Sequence, residues 1–440
     1  MTPTRSACLL LIGWLAAACA GEDASVAPTE NACADAAAPY PQPTQTGDTR
    51  DVHDPEIVQA GSDYYVFSTN DGIPIRRSRD LMSWTLLGRV FPDQLPGWAR
   101  SALPGVEAPW APAVAYVDGQ YRLYYALSTF GSPRSVIGLA TNTTLDPAAP
   151  GYAWQDRGRV LESYAGYDYN AIDPAVIEEP DGKVWLAWGS WGGGIKLRAL
   201  DPVTGYLSAM DSTVWSLARR PLEKSIEGAY IVRRGGYYYL FASFDNCCQG
   251  VNSTYNVRVG RSASVTGSYV DQSGVSMTAG GGTPVLTGYG RMLGPGHASV
   301  LQKDGQYFLV HHFYDAADNG VPHLQVRPLL WDADGWPVAG EPYDGGPTGP
   351  PPASPALAGH WAYWAGSEAA RDIELKADGA AVACDRTGQW SYTAPTLTVQ
   401  WNAGGSSGAR TDRLVLGANA ATLAGLSSDG RIVRAYRRAN

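Results

Sequence analysis

Apolar residues in this chain come in short runs, broken every few positions by Gly, Pro, Asn or Asp. The runs are rich in Tyr, Val, Leu and Trp, and helical spacing is weak throughout. Runs such as Tyr230–Val232 and Tyr237–Ser243, separated by a Gly turn, predict antiparallel strands joined by hairpins. One arrangement occurs five times: an acid or His beside Pro, Gly or Ala, then an apolar stretch, a Gly turn and an aromatic strand. The copies run from Asp54-Pro55 to Tyr64-Tyr65-Val66-Phe67, from Glu107-Ala108-Pro109 to Leu123-Tyr124-Tyr125, and from Asp173-Pro174 to Val184-Trp185-Leu186. Two more run from Glu227-Gly228 to Tyr237-Tyr238-Tyr239-Leu240-Phe241 and from Gly296-His297 to Tyr307-Phe308-Leu309. Repetition at roughly 50–70 residues predicts an all-β fold, a five-bladed β-propeller of four-stranded blades over residues 48–345. Rotation would bring the polar residue heading each copy to one axis.

The pattern then changes. Gly345-Gly346-Pro347-Thr348-Gly349-Pro350-Pro351-Pro352 predicts a linker, taken as residues 346–355. Residues 356–440 lose the acid-Pro motifs and read as short strands with turns, such as Leu397-Thr398-Val399-Gln400-Trp401. A second, C-terminal all-β domain is expected there, a small barrel or sandwich.

Composition narrows the partners. A chain of 440 residues is too long for one ordinary core, so two folded units are expected. It holds 15 Trp and 25 Tyr but only 7 Phe, and aromatics with a polar handle suit a wet groove that stacks flat ligands. A net charge of −9 argues against nucleic acid, which needs a basic surface. Beyond the N-terminus no apolar run is long enough to span a membrane.

The N-terminus assigns a compartment. Arg5 precedes an apolar run from Ala7 to Ala18 and then Cys19, the form of an export signal over residues 1–19. Small residues before Cys19 resemble a bacterial lipobox, which would make Cys19 a lipid anchor; the alternative is a signal peptide cut after Ala18 or Ala20. Residues 20–47, rich in Ala, Pro, Thr and Asp, read as a flexible tether. The protein is expected outside the cytoplasm, secreted or anchored to the cell envelope. Cys33, Cys247, Cys248 and Cys384 allow three pairings, and export permits even a disulfide between the adjacent Cys247 and Cys248. No zinc spacing is present.

Asp54, Asp173 and Glu227 head three of the five copies. One Asp-Pro pair alone is a common turn, its carboxylate accepting backbone N–H groups. Three carboxylates at equivalent places in an exported, aromatic-rich chain imply more. Brought to one axis they would repel, so their pKa values must separate. Separated carboxyls are what hydrolysis of a glycosidic bond needs: an acid for the leaving oxygen and a base for water.

Val52-His53-Asp54-Pro55, Asn170-Ala171-Ile172-Asp173-Pro174 and Ser225-Ile226-Glu227-Gly228 resemble the three catalytic motifs of glycoside hydrolase family 43. The stretches 244–250, 253–262, Gly294-Pro295-Gly296-His297 and 324–329 resemble its endo-1,5-α-L-arabinanase branch. The tail is similar to the small barrel appended to some of these enzymes. The resemblance implies an inverting hydrolase of arabinan and arabino-oligosaccharides, expected as a monomer. Asp54 would be the general base, Glu227 the general acid, and Asp173 would orient Glu227 and raise its pKa. Asn170, Ala171, Ile172, Ser190 and Trp191 would meet substrate, with Trp110, Ser135 and Arg327 as further candidates. Where the branch usually has an acid this chain has Ala113.

His297 would hold a calcium ion in the axial channel, largely through waters. By residue chemistry alone calcium prefers oxygen, and His297 reads as a hydrogen-bonded core residue. His311 and His312 read as structural. Exo-acting arabinanase, arabinofuranosidase or xylosidase activity is the rival within the family, and a non-catalytic sugar-binding propeller the rival outside it.

Overall fold

Asp-Gly and Gly-rich pairs close the hairpins as their chemistry dictates. Asp118-Gly119 and Asp304-Gly305 take positive φ at both positions, 50° and 76° in the first and 50° and 74° in the second. Turns of that hand match the right-handed twist of the strands they join. The computed structural model describes residues 40–221, 224–353, 355–404 and 408–438. The expected export signal, Cys19 and Cys33 lie outside these residues.

Five antiparallel sheets form the blades of a propeller, and eight further strands form a closed barrel. The strands nearest the axis are Glu56–Ala60, Trp110–Val117, Ala175–Glu178, Ile226–Arg234 and Met292–Lys303. Each pair of neighbouring blades has its own apolar cluster. Tyr65, Phe67 and Ile75 meet Leu123, Tyr125 and Val136 between the first and second blades. Val52, Ile57, Tyr64 and Val66 meet Leu301, Phe308 and Val310 between the fifth and first. That last cluster closes the ring, helped by Leu324 N–H donating to Thr49 O at 2.9 Å. Because both faces of every sheet are covered, strands such as Ser135–Asn142 are buried along their whole length.

One backbone feature recurs around the axis. Asp54, Ala111, Asp173, Gly228 and His297 all take left-handed φ, at 49°, 41°, 55°, 59° and 47°. In the second, fourth and fifth blades this residue lies in a bulge, where the register shifts between Trp110 and Ala113, Glu227 and Tyr230, and Gly296 and Ser299. A bulge turns one side chain out of the ladder and toward the axis. The second blade therefore presents Ala111 at the position expected for Glu107, which is exposed in the preceding loop. Glu227 sits one residue ahead of the left-handed position that Asp54 and Asp173 occupy.

The barrel runs from Gly359–Ala365 to Ile432–Arg437, and these two strands pair to close it. It docks on the propeller through Trp364, which contributes to the apolar cluster of the fourth and fifth blades. Beside it Arg434 pairs with Glu341 at 2.6 Å, and both side chains are buried. Tyr289 donates its hydroxyl to Glu341. Residues 40–47, expected within the tether, are packed instead: Thr46–Gly47 adds a parallel strand to Ser83–Arg89, and Tyr40 meets Trp364 edge-on. Tyr40 finds cover where propeller and barrel meet, while Thr46 and Gly47 stay exposed and are held by backbone pairing to the first blade.

Arg434→Ala would leave buried Glu341 with the Tyr289 hydroxyl and, as its charged partner, only Arg327, 3.8 Å away. Breaking a buried pair in this way costs about 3–5 kcal/mol, which denaturant unfolding of the full chain should register. A loss below about 1 kcal/mol would mean the domains are held by apolar contacts alone.

Candidate active site

Asp54 is buried at the axis with three partners on its carboxylate. Thr69 donates its hydroxyl to Oδ2 at 2.5 Å. Thr69 is itself aimed, because Ala111 N–H donates to its oxygen at 2.8 Å. His53 Nδ1 lies 2.8 Å from Oδ2 and His297 Nδ1 3.1 Å from Oδ1. Burial alone would raise the Asp54 carboxyl, but the charges and hydrogen bonds of His53 and His297 outweigh it and hold the group well below the usual range. Asp54 is an anion.

Asp173 faces the opposite balance. Burial pushes its carboxyl up to about 8, with Glu227 and Asp54 adding repulsion against the pull of His297. Its Oδ2 accepts the N–H of Gly228 at 3.0 Å. Asp173 thus grips the backbone of the residue after Glu227 and, near neutral pH, carries a proton.

Glu227 is held by two hydroxyls. Ser190 donates to Oε2 at 2.5 Å, and Tyr255 donates to Oε1. Tyr255 reaches it because Gly296 leaves room: a Cβ on Gly296 would stand 2.0 Å from the Tyr255 ring. Burial first and the Glu227 charge second keep the Tyr255 hydroxyl protonated, well above its ordinary range.

The loop 189–194 carries Ser190 inward and leaves Trp191 half exposed on the rim. The loop folds tightly, since a Cβ on Gly193 would meet the Asp168 carbonyl at 1.5 Å. Ser135, fully buried, donates to Asn170 Oδ1 at 2.6 Å, and the Asn170 amide nitrogen has no protein partner among the described residues. Ile172 lies at the buried edge beside Asp173, but Ala171 belongs to the apolar cluster of the second and third blades. Trp110 stands half-buried immediately before Ala111.

Arg327 is a correction. Expected at the sugar site, it is buried below the domain interface, where it donates to Tyr289 at 2.8 Å, Gly340 O at 2.9 Å and Gln325 at 2.8 Å. Its donors are used by the protein, so none is left for a ligand. Thr69, Tyr255, Tyr314 and the site roles of His53 and His312 were not assigned from sequence. His53 and Tyr255 stood within the quoted motifs; Thr69, just past the second strand of its blade, and Tyr314, on the second strand of the fifth, carry no local signal.

His53, Asp54 and His312 bring ligand atoms within 4.8 Å of one another and could hold a metal ion. Two imidazoles and one carboxylate suit a borderline divalent ion better than calcium, which prefers oxygen. The group includes His312 and not His297. His312 Nδ1 accepts the Asp54 N–H at 3.1 Å, and its Nε2 is buried without a partner. Burial opposes charge on His297, yet Asp54 raises it to about 9, so it is a cation among the carboxylates. Its Nε2 has no protein partner among the described residues.

The sequence pattern of glycosyl hydrolases family 43 matches residues 41–337. The extracellular exo-alpha-(1->5)-L-arabinofuranosidase ArbA of Cellvibrio japonicus is 41% identical over 302 residues, 66% of this chain and 87% of that protein. The extracellular endo-alpha-(1->5)-L-arabinanase 1 of Bacillus subtilis is 40% identical over 291 residues, 65% of this chain and 87% of that protein. The solved endo-1,5-alpha-L-arabinanase of Thermotoga petrophila superposes with a TM-score of 0.76 at 26% identity, covering 90% of this chain and all of that one. That coverage extends beyond the propeller into the barrel.

NMR titration checks the electrostatics without any substrate. His297 should titrate near about 9, and Asp54→Asn should lower its midpoint, because burial then acts against only the weaker pull of Asp173 and Glu227. An unmoved midpoint would refute the assigned cause.

Proposed function

The chain belongs to glycosyl hydrolase family 43, and from that premise we propose that it is an exported enzyme that hydrolyses internal α-1,5-L-arabinofuranosidic bonds of arabinan with inversion. The observation that carries this reading is the division of states between Asp54 and Asp173, two of the three buried carboxyls. Asp54 is held ionised, as a base must be. Asp173 is held protonated, which keeps a second negative charge away from the reacting centre.

Asp54 would take a proton from water as the oxygen attacks the anomeric carbon. Glu227 would deliver a proton to the departing oxygen, with Ser190 and Tyr255 fixing its carboxyl; a hydroxyl can turn from donor to acceptor when Glu227 carries that proton. Asp173 would position Glu227 through Gly228. Inversion needs about 6.5–9.5 Å between the carboxyls to admit the water. Asp54 and Glu227 come from the first and fourth blades, which are not neighbours in the ring, and this supports such a gap.

Substrate contacts are proposed for Trp191 and Trp110 as exposed and half-exposed aromatics, and for Asn170 through its amide nitrogen, with Ser135 and Ile172 shaping the same wall. Calcium belongs to the proposal only as an ion held near His297 through water, and with the ion bound His297 would be neutral, its Nδ1–H on Asp54 and its Nε2 accepting from a bound water. The ion would supply positive charge beside the carboxylates. Residues 1–19 would direct export, with Cys19 as the anchor. Exo action is the second reading, favoured by the similarity to the Cellvibrio japonicus enzyme.

Asp54→Ala and Glu227→Ala should each lower kcat on linear arabinan by about 10²–10⁴-fold while the fold survives. Full activity in either would reject the mechanism. Early products should form a ladder of sizes; one uniform short product would replace endo by exo action. Chelation should lower activity or melting temperature and calcium should restore it, whereas no response to either would remove the ion from the account.

A further inference from the structure

Cys247 and Cys248 form a disulfide between adjacent residues. Stabilisation by a cross-link grows with the length of chain it closes, and this one closes almost none. Global stability therefore does not account for it. Its surroundings do suggest a role. Cys248 is exposed at the site mouth, with its sulfur 3.9 Å from His53 Nε2. Its backbone is left-handed, with φ at 65°, a conformation that side-chain-bearing residues rarely adopt.

In that conformation the Cys248 N–H donates to the Tyr314 hydroxyl oxygen at 2.7 Å. The same oxygen lies 2.8 Å from His53 Nε2. His53 Nδ1 lies 2.8 Å from Asp54 Oδ2. A carboxylate only accepts, so His53 Nδ1 carries a hydrogen. The Tyr314 oxygen, receiving the Cys248 N–H, can direct its own hydrogen to Nε2. Every donor in the chain then meets an acceptor. His312 stacks on the His53 ring at 4.0 Å, so the ring has support on one face and hydrogen bonds at both nitrogens.

We propose that the Cys247–Cys248 disulfide is a positioning element for the base: it holds the Cys248 N–H on Tyr314, and Tyr314 holds His53 against Asp54. This rests on the reading of Asp54 as general base. Neither cysteine nor Tyr314 is a catalytic residue; each acts through His53.

The test uses four full-length proteins: wild type, Tyr314→Phe, Cys247→Ser with Cys248→Ser, and the three substitutions together. Tyr314→Phe and the disulfide-free variant should each lower kcat on linear arabinan about tenfold with KM nearly unchanged, as misplacement of a catalytic group does. The combined protein should be no slower than the slower of these two, because both break one chain. The hydrogen-bonded His53 Nδ1 proton, seen downfield by NMR, should weaken in all three variants. Wild-type kcat in the disulfide-free variant, multiplying losses, or a rise in KM alone would each overturn the proposal.

If the serine variant does not fold, wild type treated with a dithiol serves instead. Two thiols form as the dithiol closes to its own disulfide, and activity and the Nδ1 signal should fall together and return on reoxidation. Retention of both would overturn the proposal. The NMR signal needs no substrate, so a wild-type protein inert on arabinan would defeat the functional reading and still leave this one decided.

Discussion

Asp54, Asp173 and Glu227 are buried around one axis, and their mutual repulsion is the constraint that the rest of the site answers. Two unit charges 4 Å apart repel by about 4 kcal/mol even at an effective dielectric constant of 20. Three unrelieved charges would not stay buried. The molecule relieves them unequally. Asp54 receives two imidazoles and a threonine hydroxyl and keeps its charge. Asp173 receives one backbone N–H and takes a proton. Glu227 receives two hydroxyls, partners that can serve it in either protonation state.

That inequality comes from small departures from five-fold symmetry. A left-handed residue heads the axial strand of every blade, but it is Asp in two, Ala in one, Gly in one and His in one. The Gly228 copy places its carboxylate one residue earlier, so Glu227 approaches the axis differently from the two aspartates. The same earlier position is Gly296 in the fifth blade, which clears space for Tyr255. His297 follows and places a cation between the acids. One blade thereby supplies a void and the next residue a charge, and both serve Glu227 and Asp54 on other blades.

Outside the axis the propeller and the barrel share a buried contact. Arg434, Glu341, Tyr289 and Arg327 form a buried polar network under Trp364, and Tyr40 packs at the same seam. Arg327 shows how a motif can mislead about location. It belongs to a string similar to those of related hydrolases, yet its guanidinium faces the interface of propeller and barrel. Cys247 and Cys248 belong to another such string, and there the proximity to His53 is direct.

The propeller and the C-terminal β domain were legible because each strand announces itself locally, through aromatic runs and turns that need Gly or Asp-Gly. Asp54, Asp173 and Glu227 were legible because repetition placed them at comparable positions. Glu107 was misread as the head of its copy, since the left-handed position that defines the head is a backbone property, and Ala111 carries no chemical mark of it. Tyr314 and His312 were silent for a related reason: each lies far along the chain from the histidine or carboxylate it serves, while Thr69, 15 residues from Asp54, sits in a loop with no mark of its role. The sequence by itself determined the repeat, and with it the fold and the three acids. Only the tertiary structure decided which acid keeps its charge, because a pKa depends on burial and on neighbours from other blades, and no local pattern encodes either.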